Sequence, residues 1–177
     1  MPDLIAYQPP RIDPLTFTAV SKHLVADVLP GTAFDEQYDA TDLMGRFGSP
    51  LFVVSEAVLR EQFRAFKNTF SADGIDTRVA YSYKTNYLPA ICSILHEEGV
   101  WAEIVSGMEY ELALALGVPP REIIFNGPYK TRPELQKAFA QDSIVNIDNL
   151  DELNAVQEVA NALGTACRVG LRVNFQF

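Results

Sequence analysis

Apolar positions recur along most of this chain in two alternating patterns. Short runs of strand character start near Val79, Trp101, Ile123, Ile144 and Cys167, at steps of 22, 22, 21 and 23 residues. Between those runs the spacing is helical. Leu88, Ile91, Cys92 and Leu95 follow i, i+3, i+4, i+7, with Pro89 near the start and Gly99 just past the end. Leu150, Leu153, Val156, Ala160 and Leu163 mark another helix, which Gly164 should close. Ser106-Gly-Met-Glu109 and Thr131-Arg-Pro-Glu134 both fit a capping box, so two more helices are expected to start at those points.

Strand and helix alternating at a constant step imply repeated βα units and a parallel sheet, because parallel neighbours need a crossover between them. A doubly wound sheet gives the same alternation, but the evenness of the step favours a (β/α) barrel. The expected fold is therefore α/β, a partial (β/α)8 TIM barrel with about five βα units. A closed barrel needs eight, so the chain is expected to be a fragment or a truncated form.

The first 50 residues differ. Pro2, Pro9, Pro10, Pro14, Pro30 and Pro50 break their apolar pattern, which reads as an irregular leader with short helices near 17–29 and 40–47. Gly48-Ser49-Pro50 then precedes Leu51–Val54, expected to form a short strand. Ser55 is placed to cap a helix whose stripe is Val58, Leu59, Gln62, Phe63 and Phe66. The expected division is a leader over 1–50 and the N-terminal part of a barrel over 51–177.

Composition narrows the function. With 48% hydrophobic and 21% charged residues, the chain is of ordinary globular type. Its net charge of -9 opposes nucleic-acid binding, since a polyanion would be repelled. Met1–Pro10 lacks the positive leader and apolar core of a signal peptide, and no apolar run reaches the ~18 residues that span a bilayer. Cys92 and Cys167 lie far apart with no CxxC pair, so no metal site is expected. A cytoplasmic protein without membrane or nucleic-acid partners is the expectation.

In parallel βα architectures, chemistry gathers at the C-terminal ends of the strands. Those ends carry Lys84, Thr85 and Asn86; Glu103 and Ser106; Asn126; Asn146 and Asp148; and Arg172 and Asn174. Ser106 and Glu109 could equally cap a helix, and Asp148 could cap the helix after the fourth strand. Lys84 stands apart. In Arg78-Val-Ala-Tyr-Ser-Tyr-Lys84, period two puts Val79, Tyr81 and Tyr83 on one face and Ala80, Ser82 and Lys84 on the other. The first face is large enough to pack on helices. The second is small and ends in an amine, leaving room for a bound ring. A lysine losing water there favours Schiff-base chemistry. The plain alternative is a surface lysine at a strand end.

Tyr81-Ser-Tyr-Lys84-Thr-Asn86 resembles the Y-x-x-K-x-N segment on the first barrel strand of fold-type III pyridoxal-phosphate decarboxylases, the diaminopimelate, ornithine and arginine decarboxylase group. Four further stretches resemble the family in order: Glu103-Ile-Val-Ser106-Gly-Met-Glu109, Phe125-Asn-Gly-Pro-Tyr-Lys130, Asn146-Ile-Asp148-Asn-Leu-Asp-Glu-Leu153 and Gly170-Leu-Arg172-Val-Asn174. Gly48-Ser-Pro50-Leu-Phe-Val-Val resembles the strand that joins the barrel to a second, β-rich domain. The resemblance implies an alanine-racemase-like barrel with pyridoxal 5'-phosphate as cofactor.

It further implies that Lys84 holds the cofactor's aldehyde as a Schiff base, with Glu103 near that lysine and Arg172 near the phenolic oxygen. Asn86, Ser106, Glu109, Asn126 and Asp148 would shape the substrate pocket. The implied activity is decarboxylation of a small amino acid, a diamino or basic one such as diaminopimelate, by a homodimer. Glu103 stands where many relatives have aspartate, and Asn126-Gly-Pro-Tyr departs from the usual diaminopimelate type. The family's ring-stacking histidine, glycine-rich phosphate loop and acidic group facing the pyridine nitrogen are expected beyond residue 177. A non-catalytic cofactor-binding regulatory protein, a silent paralogue and a racemase on the same barrel are the competing readings.

Overall fold

The computed structural model describes residues 39–70 and 75–173. The chain divides into two units between Ser55 and Glu56, each described by itself. In the first, α1 (Ala40–Phe47) is capped by the Asp39 carboxylate, which accepts the Thr41 N–H at 2.7 Å. The helix expected near 17–29 lies outside the described residues. The strand expected over Leu51–Val54 is not formed. These residues join no ladder among the described residues, and Phe52 is 98% exposed. An apolar run becomes a strand only when a neighbouring strand takes its N–H and C=O groups.

The second unit opens with α2 (Glu56–Thr69), immediately after Ser55. It lays Leu59 and Phe63 against a small cluster of Ile91, Leu95 and Val100. Arg60 and Arg64 reach across to Glu97 and Glu98 at the end of α3 (Pro89–Glu97), with Arg64 Nη2 2.6 Å from Glu98 Oε1. The Arg64 guanidinium, with Arg60 behind it, holds the Glu98 carboxyl down at about 2.

The sheet has five strands: β1 (Ala80–Ser82), β2 (Trp101–Ile104), β3 (Ile123–Phe125), β4 (Ile144–Ile147) and β5 (Arg168–Leu171). All neighbours are parallel and the order is strictly sequential. Helix α3, then α4 (Gly107–Ala115), α5 (Arg132–Ala140) and α6 (Leu150–Leu163), connect them in turn. A doubly wound sheet reverses its strand order at a switch point. This one does not, as the even spacing anticipated, and it forms an open barrel-type sheet with β1 and β5 at its edges.

Alternation along the strands separates two faces. Ala102, Ile104, Ile123, Phe125, Val145 and Ile147 are buried against the helices. Tyr83, the first residue after β1, joins them with no exposure at all. Helix starts follow the expected caps with two amendments. Thr131 and Glu134 complete a reciprocal box, Glu134 Oε2 accepting the Thr131 N–H at 2.7 Å. Ser106 accepts the Glu109 N–H, but the Glu109 carboxylate turns to the Val105 N–H at 2.7 Å instead of the cap's own amide. Helix α6 is capped by Asn149 and not by Asp148, and it ends at Gly164 with φ 65°. On β5, Leu171 is 73% exposed, since no helix among the described residues covers that end of the sheet.

Candidate active site

Five parallel strands place all their C-terminal ends along one rim. The expected site residues therefore gather there by topology alone. The structure differs from expectation at Lys84 itself. The ladder stops at Ser82, and Tyr83–Thr85 forms a single 3-10 turn. Thr85 Oγ1 donates to Ser82 O at 2.7 Å, the Tyr81 hydroxyl donates to Asn86 O at 3.0 Å, and Asn86 Oδ1 accepts the Leu88 N–H at 3.2 Å. Every one of these bonds shapes the turn, so Asn86 serves the backbone. Lys84 is carried to the tip and is exposed. The desolvated amine expected from the strand pattern is not found among these residues.

At the end of the ladder just before this turn, on the face turned away from the helices, Ser82 stands in register with Glu103 of β2. Neighbouring strands lie about 4.8 Å apart, so these side chains are adjacent. Ser82 Oγ and Glu103 Oε1 are both buried, and neither has a hydrogen-bond partner among the described residues. Burying such atoms unpaired costs about 1–3 kcal/mol each, more for a charged group. A carboxylate oxygen shut off in this way demands a donor or a cation.

Of the other expected residues, two pairs touch. Ser106 and Glu109 make the cap already described, and Glu109 is 4% exposed. Arg172 Nη1 donates to Asp148 Oδ1 at 3.0 Å, while the Arg172 N–H bonds Ile147 O at 3.0 Å. The Asn126 N–H extends the β2–β3 ladder to Ile104 O at 2.7 Å. Asn174 lies outside the described residues.

Two groups that the sequence reading did not single out, Lys130 and Glu152, hold the rim together with Glu134, which it read only as a capping residue. Lys130, with a side chain 0% exposed, donates to Gly127 O at 3.0 Å, Asn146 O at 2.9 Å and Glu152 Oε1 at 2.9 Å. Glu152 Oε2 in turn accepts the Asp148 N–H at 2.8 Å. Glu134 reaches from α5 to the Gly107 N–H at 3.0 Å, and a Cβ on Gly107 would come within 2.4 Å of that carboxylate oxygen. Burial pushes the Glu134 carboxyl up, but the bonds from Thr131 and Gly107 outweigh it and hold it below the usual range. The pattern Asn149-Leu-Asp-Glu152 carried the signal for Glu152, an N-cap residue followed three positions on by a glutamate. No local pattern marks Lys130 as buried.

Among the described residues no group of three or more histidine, cysteine or acidic side chains could hold a metal ion, and no helix is long and apolar enough to cross a membrane.

A sequential parallel βα sheet with its polar groups gathered at the C-terminal rim is the architecture of the (β/α)-barrel enzymes. Residues 56–177 match the family described as pyridoxal-dependent decarboxylase, pyridoxal binding domain, and the chain belongs to that family. It is 35% identical over 145 residues to the diaminopimelate decarboxylase of Aquifex aeolicus, covering 81% of this chain and 34% of that one. The crystal structure of diaminopimelate decarboxylase from Methanocaldococcus jannaschii superposes with a TM-score of 0.72 at 36% identity, over 80% of this chain and 34% of that one. Diaminopimelate decarboxylase from Helicobacter pylori, complexed with L-lysine, gives 0.71 at 26% identity, over 77% and 34%. The chain thus spans about a third of the length of the relatives it matches.

Proposed function

We propose that this chain is the cofactor-binding segment of a pyridoxal-phosphate-dependent decarboxylase acting on a diamino or basic amino acid such as diaminopimelate. The observation that carries the reading is the pair Ser82 Oγ and Glu103 Oε1, buried and unpartnered among the described residues at the end of β1, just before the turn that carries the exposed Lys84. These residues fit a cofactor that brings a donor and a carbonyl to that end of the strand.

Lys84 would hold the cofactor through its amine, which makes no competing bond among the described residues. Glu103 would accept a hydrogen bond or face a cation there, and Ser82 would orient the same group. Arg172 would stand by the cofactor's oxygen, and Asn126 and Asp148 would line the rim. Bound pyridoxal phosphate supplies the electron sink that lets an α-carboxylate leave as carbon dioxide. Lys84, once released, is the group at this rim able to carry a proton back.

The family match from residue 56 supports a barrel segment over 51–177 after a leader over 1–50. Relatives that are diaminopimelate decarboxylases favour decarboxylation over racemisation or a regulatory role. A homodimer at natural full length and a cytoplasmic location belong to the same proposal.

The test is carbon dioxide release by the protein at its natural full length, with pyridoxal phosphate and with diaminopimelate, lysine, ornithine and arginine offered separately. Turnover of diaminopimelate well above the others is expected. Turnover confined to a different amino acid would refute the substrate, and racemisation without carbon dioxide would refute the reaction.

A further inference from the structure

We infer that Asp148 is a positioning residue that fixes the Arg172 guanidinium and sets how much of its charge reaches the cofactor. The inference rests on the proposed cofactor site, because Arg172 acts there only if that site is real.

The pair is built differently from an ordinary surface ion pair. A surface pair has to immobilise two long, freely jointed side chains and yields little for it. Here both backbones are fixed first. The Arg172 N–H is held by Ile147 O at 3.0 Å, and the Asp148 N–H is held by Glu152 Oε2 at 2.8 Å. Glu152 is fixed in turn by Lys130, which also ties down the carbonyls of Gly127 and Asn146. The Arg172–Asp148 contact at 3.0 Å therefore closes a chain of four charged groups running from the loop after β3 to the end of β5.

The two halves of that chain differ in exposure. Lys130 and Glu152 have side chains 0% and 5% exposed, whereas Arg172 is 57% and Asp148 20% exposed. A buried pair is a poor source of net stability, because desolvation offsets its attraction, but it holds geometry stiffly. The stiff half lies inside and the reactive half faces the rim. Asp148 was free to cap α6, and Asn149 does that instead. The Asp148 carboxylate is left for Arg172.

An aspartate beside Arg172 also offsets part of its charge at the rim. Removing that negative charge should make the cofactor's surroundings more positive and disfavour the protonated form of its link to Lys84. The readout is the pH midpoint of the bound cofactor's visible absorption, measured on the holoprotein at natural full length. Asp148→Asn should lower the midpoint by about 0.5–1 pH unit. Asp148→Glu should bring it back toward the parent value. Arg172→Gln should move it upward, and that opposite sign is one a merely structural lesion would not give.

Borohydride reduction and peptide mapping accompany each titration. If Lys84 carries the cofactor and Asp148→Asn leaves the midpoint in place, the inference is overturned while the proposed site stands. Should Asp148→Asn fail to fold, Asp148→Ser takes its place: a downward shift supports the inference and none overturns it. If the parent protein itself carries no cofactor on Lys84, the proposed site falls, and the inference with it.

Discussion

The two faces of the sheet follow opposite rules. On the helix-packed face, polar groups are consumed by the fold. The Tyr83 hydroxyl donates to His96 Nε2 at 2.6 Å, and His96 Nδ1–H donates to Val100 O at 2.6 Å, which settles the neutral tautomer. On the opposite face, Ser82 Oγ and Glu103 Oε1 are buried without partners among the described residues, and Lys84 is exposed on the turn that follows. Lys84 and Lys130 put the contrast in a single residue type. Lys130 has its three ammonium hydrogens matched to three acceptors, whereas Lys84 sits on a turn whose bonds are made by other residues. Groups with filled partners make structure, and groups left unfilled are available for chemistry.

The largest effect should come from exchanging the roles of the two lysines. Lys130→Met leaves Glu152 buried without its cation and should cost about 3–5 kcal/mol. Lys84→Ala removes an exposed side chain and should stay within about 0.5 kcal/mol. Urea unfolding of the two variants at natural full length measures both. Equal losses would erase the distinction between the faces.

Much of this arrangement was legible in the residues, and the gaps have physical causes. Tyr81 and Tyr83 were read as packing toward the helices and both do, though Tyr83 does so from the turn that follows β1. Thr131 and Glu134, Pro89, and Gly164 mark helix ends through local bonds, and local bonds leave local patterns. Leu51–Val54 shows the limit, for a strand depends on a partner that its own residues do not specify. Lys84 was placed on the strand because periodicity continues past the last ladder bond, whereas the chain turns after Ser82. Lys130 was unreadable as a core residue, since its acceptors come from three separate segments. Asp148 and Asn149 are neighbours with similar capping ability, and only the structure shows which one caps and which one meets Arg172.

A smaller effect concerns His96. Burial lowers its pKa from the ordinary value of 6.5, so the folded state favours the neutral ring while the unfolded chain binds protons more readily. Its contribution is complete above about 6.5 and is lost as pH falls through the lowered folded value. Stability measured between pH 7 and pH 5 should decline, and His96→Gln should flatten that decline. An unchanged slope would show that the filled face does not hold the histidine neutral.

The smallest effect belongs to the exposed network between α2 and α3. Glu98, held at about 2, contributes above its ordinary 4.5 and loses that contribution as pH falls toward 2. Arg64→Gln should move the acid-unfolding midpoint slightly upward at low ionic strength and by less in about 1 M salt, where an exposed ion pair is weakened. A shift of the same size in salt would mean these arginines act by packing and not by charge.

The central claim is that an unfilled lysine, and not a filled one, holds the cofactor. The protein at natural full length should be loaded with pyridoxal phosphate, reduced with borohydride and digested, and the pyridoxyl group located by mass spectrometry. The account predicts the label on Lys84, within the peptide containing Tyr81 to Asn86, and its loss in Lys84→Ala with the fold retained. A label on Lys130, whose hydrogen bonds would all have to break to receive it, would contradict the account.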